Sequence, residues 1–167
     1  MSIVALFRPL LRTAVIAGIV IGTLSAAPKA PDACDLLTVA ELSAAFGKAV
    51  SAGTPGVTDN GSVQCTYSSG LDQFGVEIWQ APSAAEAQKK FSEELKDSRR
   101  SPSKRTTVES GLGEGAFALT MDLSVMKVIG LSAVHGSRFV TIYAMSDRAV
   151  PLALDRLRGL MLKALSR

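Results

Sequence analysis

Two cysteines, one histidine, a glycine-rich run and a cluster of basic side chains are the residues of this 167-residue chain with the clearest chemical potential. Cys34 and Cys65 are the only thiols, and in an oxidising compartment two thiols pair. A disulfide closing a loop of about 30 residues stabilises a fold by roughly 3–4 kcal/mol. The alternatives are a reactive thiol or a metal pair, although two sulfurs with His135 fall short of the four ligands that structural zinc takes. His135 could act in catalysis only with a nucleophile or an orienting acid in reach. Glu114 and Asp147 are the candidate acids, and the sequence alone places neither of them there. Gly111-Leu112-Gly113-Glu114-Gly115 could cradle an anion with backbone N–H groups. It lacks the Lys-Ser/Thr of a phosphate loop, and a strand-like segment follows where a helix should begin, so a tight turn is the simpler reading. Lys96, Arg99, Arg100, Lys104 and Arg105 form a basic loop over residues 96–105 suited to an anionic envelope component. Glu93, Glu94 and Asp97 precede it, and no aromatic residue interleaves for base stacking, so nucleic acid is not expected. Trp79, Phe139 and Tyr143 are the binding candidates, because exposed aromatics mark contact surfaces; the competing reading makes them core. No G-x-S-x-G, H-E-x-x-H or paired-carboxylate pattern is present. The expectation is therefore a non-catalytic domain without cofactor or metal.

The elements that would position these groups are organised around residues 125–145. Met126–Val134 is rich in Val, Ile and Leu, and in Arg138–Met145 Val140, Ile142 and Ala144 alternate with Phe139, Thr141, Tyr143 and Met145. Side chains of a strand point to opposite faces in turn, so this is a hairpin about His135-Gly136-Ser137. Both faces carry apolar residues. Thr38-Val39-Ala40-Glu41 is a capping box opening a helix that ends at Gly47. Lys48–Ser62 reads as a loop, Val63–Ser68 as a half-buried strand, and Phe74–Gln80 as the next strand. Ser83 with Glu86 opens a helix whose stripe is Ala84, Ala87, Phe91 and Leu95. Val108–Glu109 and Ala116–Thr120 are strands. Asp147 is the expected cap of a last helix to about Leu165, with Pro151 in its first turn. Val76-Glu77-Ile78-Trp79 before Ser83 parallels Val140-Thr141-Ile142-Tyr143 before Asp147. This similarity reads either as a strand-turn-strand-helix unit used twice or as chance. The fold class is α+β: an antiparallel sheet with about three helices packed on one face. Val76, Ile78, Val140 and Ile142 would face those helices, leaving Trp79, Phe139 and Tyr143 on the other side.

Residues 1–27 read as a signal peptide. Arg8 and Arg12 precede an uncharged apolar run, Thr13–Ala27, that ends in small residues, with cleavage between residues 25 and 30. The run is short for a membrane span of about 20 residues, and an uncleaved N-terminal anchor is the alternative. Any membrane contact would come through that leader. Cys34 lacks the apolar and small residues expected before a lipid-attachment cysteine, and the separated arginines are not a twin-arginine signal. Of 18 basic side chains, Arg8 and Arg12 belong to the leader, which leaves 16 against 15 acids. That near balance gives the mature chain no strong electrostatic partner. With 47% hydrophobic residues, residues 32–167 suffice for one exported domain with its own core.

Cys34-Asp35-Leu36-Leu37-Thr38 leading into Ala40-Glu41-Leu42, Cys65-Thr66-Tyr67 and Gly111–Phe117 together resemble a family of small exported bacterial proteins and lipoproteins. Its marks are a leucine-threonine helix start after a cysteine, a second cysteine in a C-x-Y or C-x-W strand, and a G-L-G-[DE]-x-A-[FY] turn. The resemblance covers nearly all of the mature chain and implies a fold more than an activity, since the family is a domain of unknown function. The functional expectation is a periplasmic or secreted envelope domain that binds a small ligand or protein partner through Trp79, Phe139 and Tyr143. The alternative is an assembly factor that meets anionic envelope components through residues 96–105.

Overall fold

The computed structural model describes residues 32–147 and 153–167. The leader expected over residues 1–27 and the segment 148–152, with Val150 and Pro151, lie outside the described residues. The chain enters through a single turn, α1 (Ala33–Leu36), whose Cys34 N–H donates to the Asp32 carboxylate. The expected capping box opens α2 (Val39–Phe46): Thr38 Oγ1 accepts from Glu41 N, and Glu41 Oε2 accepts from Thr38 N. Gly47 ends this helix in the left-handed conformation that a residue without Cβ adopts freely.

The sheet has seven strands, all paired antiparallel. In chain order they are β1 (Thr54–Val57), β2 (Val63–Ser69), β3 (Asp72–Gln80), β4 (Lys104–Glu109), β5 (Gly115–Asp122), β6 (Met126–His135) and β7 (Arg138–Asp147). In space the order is β1-β2-β3-β7-β6-β5-β4. The hairpin about Gly136 forms as expected, with Val134 opposite Phe139 and Leu131 opposite Ile142. Two segments differ from the sequence reading. β1 lies inside the expected loop 48–62, where Pro55 and Gly56 hide the strand signal of an edge. β4 begins at Lys104 rather than Val108, because backbone pairing with β5 recruits polar residues that carry no apolar alternation.

The α+β class holds, but the helices lie on both faces of the sheet, which corrects the one-face packing. Val76, Ile78, Val140 and Ile142 pack with Leu36, Leu42, Phe46, Leu157 and Met161, so α1, α2 and α4 (Leu154–Leu165) share one face. Phe46 and Phe74 stack there at 4.2 Å. The third long helix, α3 (Ala84–Arg100), buries Ala87 and Phe91 against Phe117, Val134 and Phe139 on the opposite face. Phe91 and Phe117 meet at 5.7 Å. A strand pair with apolar residues on both sides needs two covers, and α3 provides the second. Its stripe is Ala87, Phe91 and Leu95, while Ala84 is exposed.

The last helix begins at Leu154 with no side-chain cap, and Asp147 closes β7 rather than capping it. The internal repeat persists in the sheet, where β3 and β7 pair about Glu77 and Thr141 so that Val76 meets Ile142 and Ile78 meets Val140. It does not persist in the helices, which follow the two hairpins onto opposite faces.

Cys34 and Cys65 are joined in a disulfide that ties α1 to β2, with 31 residues of sequence separation. This bond places the folded chain where thiols oxidise, outside a reducing cytosol. Tyr67 donates its hydroxyl proton to the Leu37 carbonyl at 2.7 Å, and Gly53 covers both, since a Cβ there would collide with Cys65 Sγ and Tyr67. Replacing both cysteines by serine is expected to lower the unfolding free energy by about 3–4 kcal/mol in urea melts.

Glu41 holds the two ends of the described chain together, accepting from Thr38 N and from the Arg167 guanidinium at 2.9 and 3.0 Å. The Thr38 N–H, with help from Arg167, outweighs partial burial and lowers the Glu41 carboxyl from 4.5 to about 2. A depressed acid stabilises the fold fully above its unfolded value and loses that contribution as pH falls toward its folded value. Glu41→Gln should therefore cost about 1–2 kcal/mol at neutral pH. Denaturation series should show that difference shrinking between pH 4.5 and about 2.

Candidate functional site

α3 covers only part of its face, and what it leaves open is the most unusual surface of the domain. Strand alternation and register set its rows. Thr66 of β2, Gly75 of β3, Tyr143 of β7, Gly130 of β6 and Leu119 of β5 form one row. The next row toward the Asp147 end holds Ser68, Gln73, Met145, Val128 and Met121. Leu119, Met121, Val128, Tyr143 and Met145 are all half-buried. Apolar groups thus occupy the β7-β6-β5 side, and Gln64, Thr66, Gln73 and Glu77 occupy the β2-β3 side.

Two glycines shape this surface. Tyr143 lies over Gly75, where a Cβ would collide with its ring. Gly130, on the other side of Tyr143, is buried, yet a Cβ there would meet only Leu119, at 3.9 Å. The side-chain layer is therefore thin over Gly130, beside an aromatic ring. No hydrogen bond to the Tyr143 hydroxyl forms among the described residues, whereas the neighbouring Thr141 and Ser132 hydroxyls pair with each other at 2.9 Å.

The structure separates the three aromatic candidates. Phe139 is buried beneath α3, only 7% exposed, and Trp79 packs partly buried beside it. The ammonium of Lys90 stands 5.5 Å from the Trp79 ring and 6.0 Å from that of Phe139. Both belong to the second core, because the first half of α3, with Ala87 and Phe91, packs over the end of the sheet that they occupy. Only Tyr143 lies beyond the helix. The basic segment 96–105 is not a loop: Lys96, Arg99 and Arg100 end α3, and Lys104 and Arg105 open β4 after a short turn. Arg99, Arg100 and Arg105 are exposed and Lys104 is half-buried. Lys104 and Arg105 point to opposite faces of the edge strand.

His135 does find an acid. Its Nδ1 lies 3.6 Å from Glu114 Oε1, and Asp147 sits at the far end of the sheet. Glu114 also accepts from Gly136 N at 3.2 Å, which holds its carboxyl below the usual range, helped by His135 against slight burial. The glycine run therefore presents its own carboxylate to the hairpin tip. Gly113 adopts φ +58°, and a Cβ there would collide with the Val134 carbonyl, so the run serves as a docking turn. Among the described residues no hydroxyl or thiol hydrogen bonds to His135, and no group of three His, Cys, Asp or Glu could hold a metal.

Two recesses among the described residues lie elsewhere on the surface. One of about 310 Å³ lies between α2 and α4, with Ala44, Ala45 and Leu160 inside and Glu41, Arg156 and Lys163 around it. The other, of about 240 Å³, is lined by Leu71, Val125, Met126 and Asp147 at one end of the sheet. No helix among the described residues is long and apolar enough to cross a membrane. Neither a protein-family model, nor a curated protein, nor a solved structure matches this chain.

The seat of Tyr143 is testable by a double-mutant cycle. Gly75→Ala should cost about 1–3 kcal/mol in the native background, by overpacking against the ring. In a Tyr143→Ala background the same change should cost less than about 1 kcal/mol, since neighbours that share a contact are not additive.

Proposed function

We propose that this chain is an exported, non-catalytic binding domain that engages a protein partner through the open half of the α3 face, centred on Tyr143. The observation that carries this reading is the half-buried apolar strip of Leu119, Met121, Val128, Tyr143 and Met145, outside the cluster that α3 seals and beside a polar border. Aromatic and methionine side chains are enriched where proteins meet, and a polar rim around an apolar centre is the usual anatomy of such contacts. A protein is favoured over a small ligand because the surface spreads across several strands, whereas small-molecule sites are enclosed and concave. Export rests on the reading of residues 1–27 together with the disulfide, and the resemblance to small exported envelope proteins agrees with it. A periplasmic or secreted location follows from the same reading.

A photo-crosslinking side chain at Gln73 or Thr66 should trap a discrete adduct in intact cells, and one at Lys89, on the exposed side of α3, should not. Gly130→Val and Met145→Arg should abolish the adduct while the isolated domain keeps its thermal midpoint within a few degrees. Equal labelling from Lys89, or labelling that persists in both variants, would overturn the site.

A further inference from the structure

The two ends of the sheet differ in kind. At one end the turns are polar: Thr58–Ser62 and Gly136-Ser137. At the other, two hairpin turns present Leu71, Leu123 and Val125 to solvent, at 84%, 41% and 73% exposure. Turn tips usually carry Gly, Asn, Asp or Ser, and nothing in the β5–β6 connection requires apolar residues for its geometry. Leu71 and Val125 line one recess, so the tips of β2–β3 and β5–β6 stand together across the end of β7. The turn that joins α3 to β4 lies at this same end, because Lys104 pairs with Met121 just before the β5–β6 turn. It puts Arg99, Arg100 and Lys104 at the same end of the sheet as Leu123 and Val125. The acids of this end are largely engaged. Asp122 is 4.0 Å from Lys127, and Asp72 is paired with Lys48 and accepts from Ser146; Asp97, 3.9 Å from Arg100, offsets part of that cation's charge and leaves Arg99 and Lys104. Asp147 lies within the recess, so any contact is made by the tips rather than by filling that hollow.

We infer that this end of the domain docks on an anionic lipid surface, with Leu71, Leu123 and Val125 entering the headgroup–acyl boundary and Arg99, Arg100 and Lys104 facing lipid phosphates. Apolar side chains at the boundary, with cations at the headgroup level, form a two-part signature of peripheral membrane binding. A protein partner would need a complementary apolar socket and a defined shape. Two protruding hairpin tips suit a soft surface better. The charge complementarity is local, so a near-neutral mature chain is compatible with it. This surface adjoins the strip around Tyr143 only where Lys104 pairs with Met121, and its apolar tips lie outside it, so either assignment can fail without the other.

The exported form of the chain, recovered from cells, is mixed with vesicles of phosphatidylcholine with and without phosphatidylglycerol. Co-sedimentation is expected only with the anionic vesicles and should weaken as salt is raised. Val125→Trp in a Trp79→Phe background provides a reporter at the rim itself: the emission of the introduced indole should shift to the blue on anionic vesicles and be quenched by lipids brominated in the acyl chain. Leu71→Asp with Val125→Asp, both at exposed positions, should abolish binding. Arg99→Glu with Arg100→Glu and Lys104→Glu should weaken it by at least about tenfold. The inference is overturned if the emission of that indole does not change on vesicles that carry the protein down, since the contact is then made elsewhere, for example by a retained leader. Equal binding to neutral vesicles overturns it too, as does binding of a soluble acidic polymer but not vesicles.

Discussion

The pairing of β3 with β7 makes one sheet out of two hairpins, and every other feature hangs from it. Eight residue pairs run from Gln73–Met145 to Gln80–Arg138, joining segments separated by more than half the described chain at one end of the ladder. Such a contact is entropically expensive to close and is stable only because its two central rows, Val76–Ile142 and Ile78–Val140, are fully buried. Burying each of those side chains is worth roughly 1.5–3 kcal/mol. The cover that buries them consists of α1, α2 and α4, and the disulfide pins that cover to β2. Glu41 then links the capping box of α2 to Arg167 just beyond α4, so the two helical ends of that layer share one carboxylate.

The other face is treated unequally, and this asymmetry is what gives the molecule its surfaces. α3 has to carry the chain from β3 to the far edge strand β4, and in crossing it seals Trp79, Val134, Phe117 and Phe139 under Phe91. A single helix about 10 Å wide cannot seal a seven-stranded sheet. The remaining rows are therefore left half-buried, with Tyr143 laid down over a glycine. The edges carry their own protection. β1 is short and contains Pro55, and β4 presents Lys104 and Arg105, which discourages pairing with another chain. Contacts with partners are thus directed away from the edges toward the open face and the end of the sheet.

Much of the domain was legible because it rests on local chemistry. The capping box at Thr38 and Glu41, the stop at Gly47, the Ser83 start of α3 and the Gly136 hairpin are short-range rules that act within a few residues. The disulfide followed from having only two cysteines in a chain read as exported. β1 and the first half of β4 were hidden because edge strands need no apolar alternation, only a neighbour to bond. The cap assigned to Asp147 failed because β7 continues through that residue in register with Met126.

The candidate site divides in the same way. The sequence by itself determined that β7 is apolar on both faces, that Phe139 and Tyr143 share one of them, and that α3 is amphipathic. It could not determine which face each helix takes, because a two-sided strand satisfies a helix equally well on either side. Tertiary structure made that choice by filling the first face with α1, α2 and α4 and so sending α3 to the second. That choice turned Trp79 and Phe139 into core and left Tyr143 outside. It also set Glu114 against His135 and gathered Leu71, Leu123 and Val125 at one end. Those juxtapositions depend on strand order, which periodicity along a single chain does not encode.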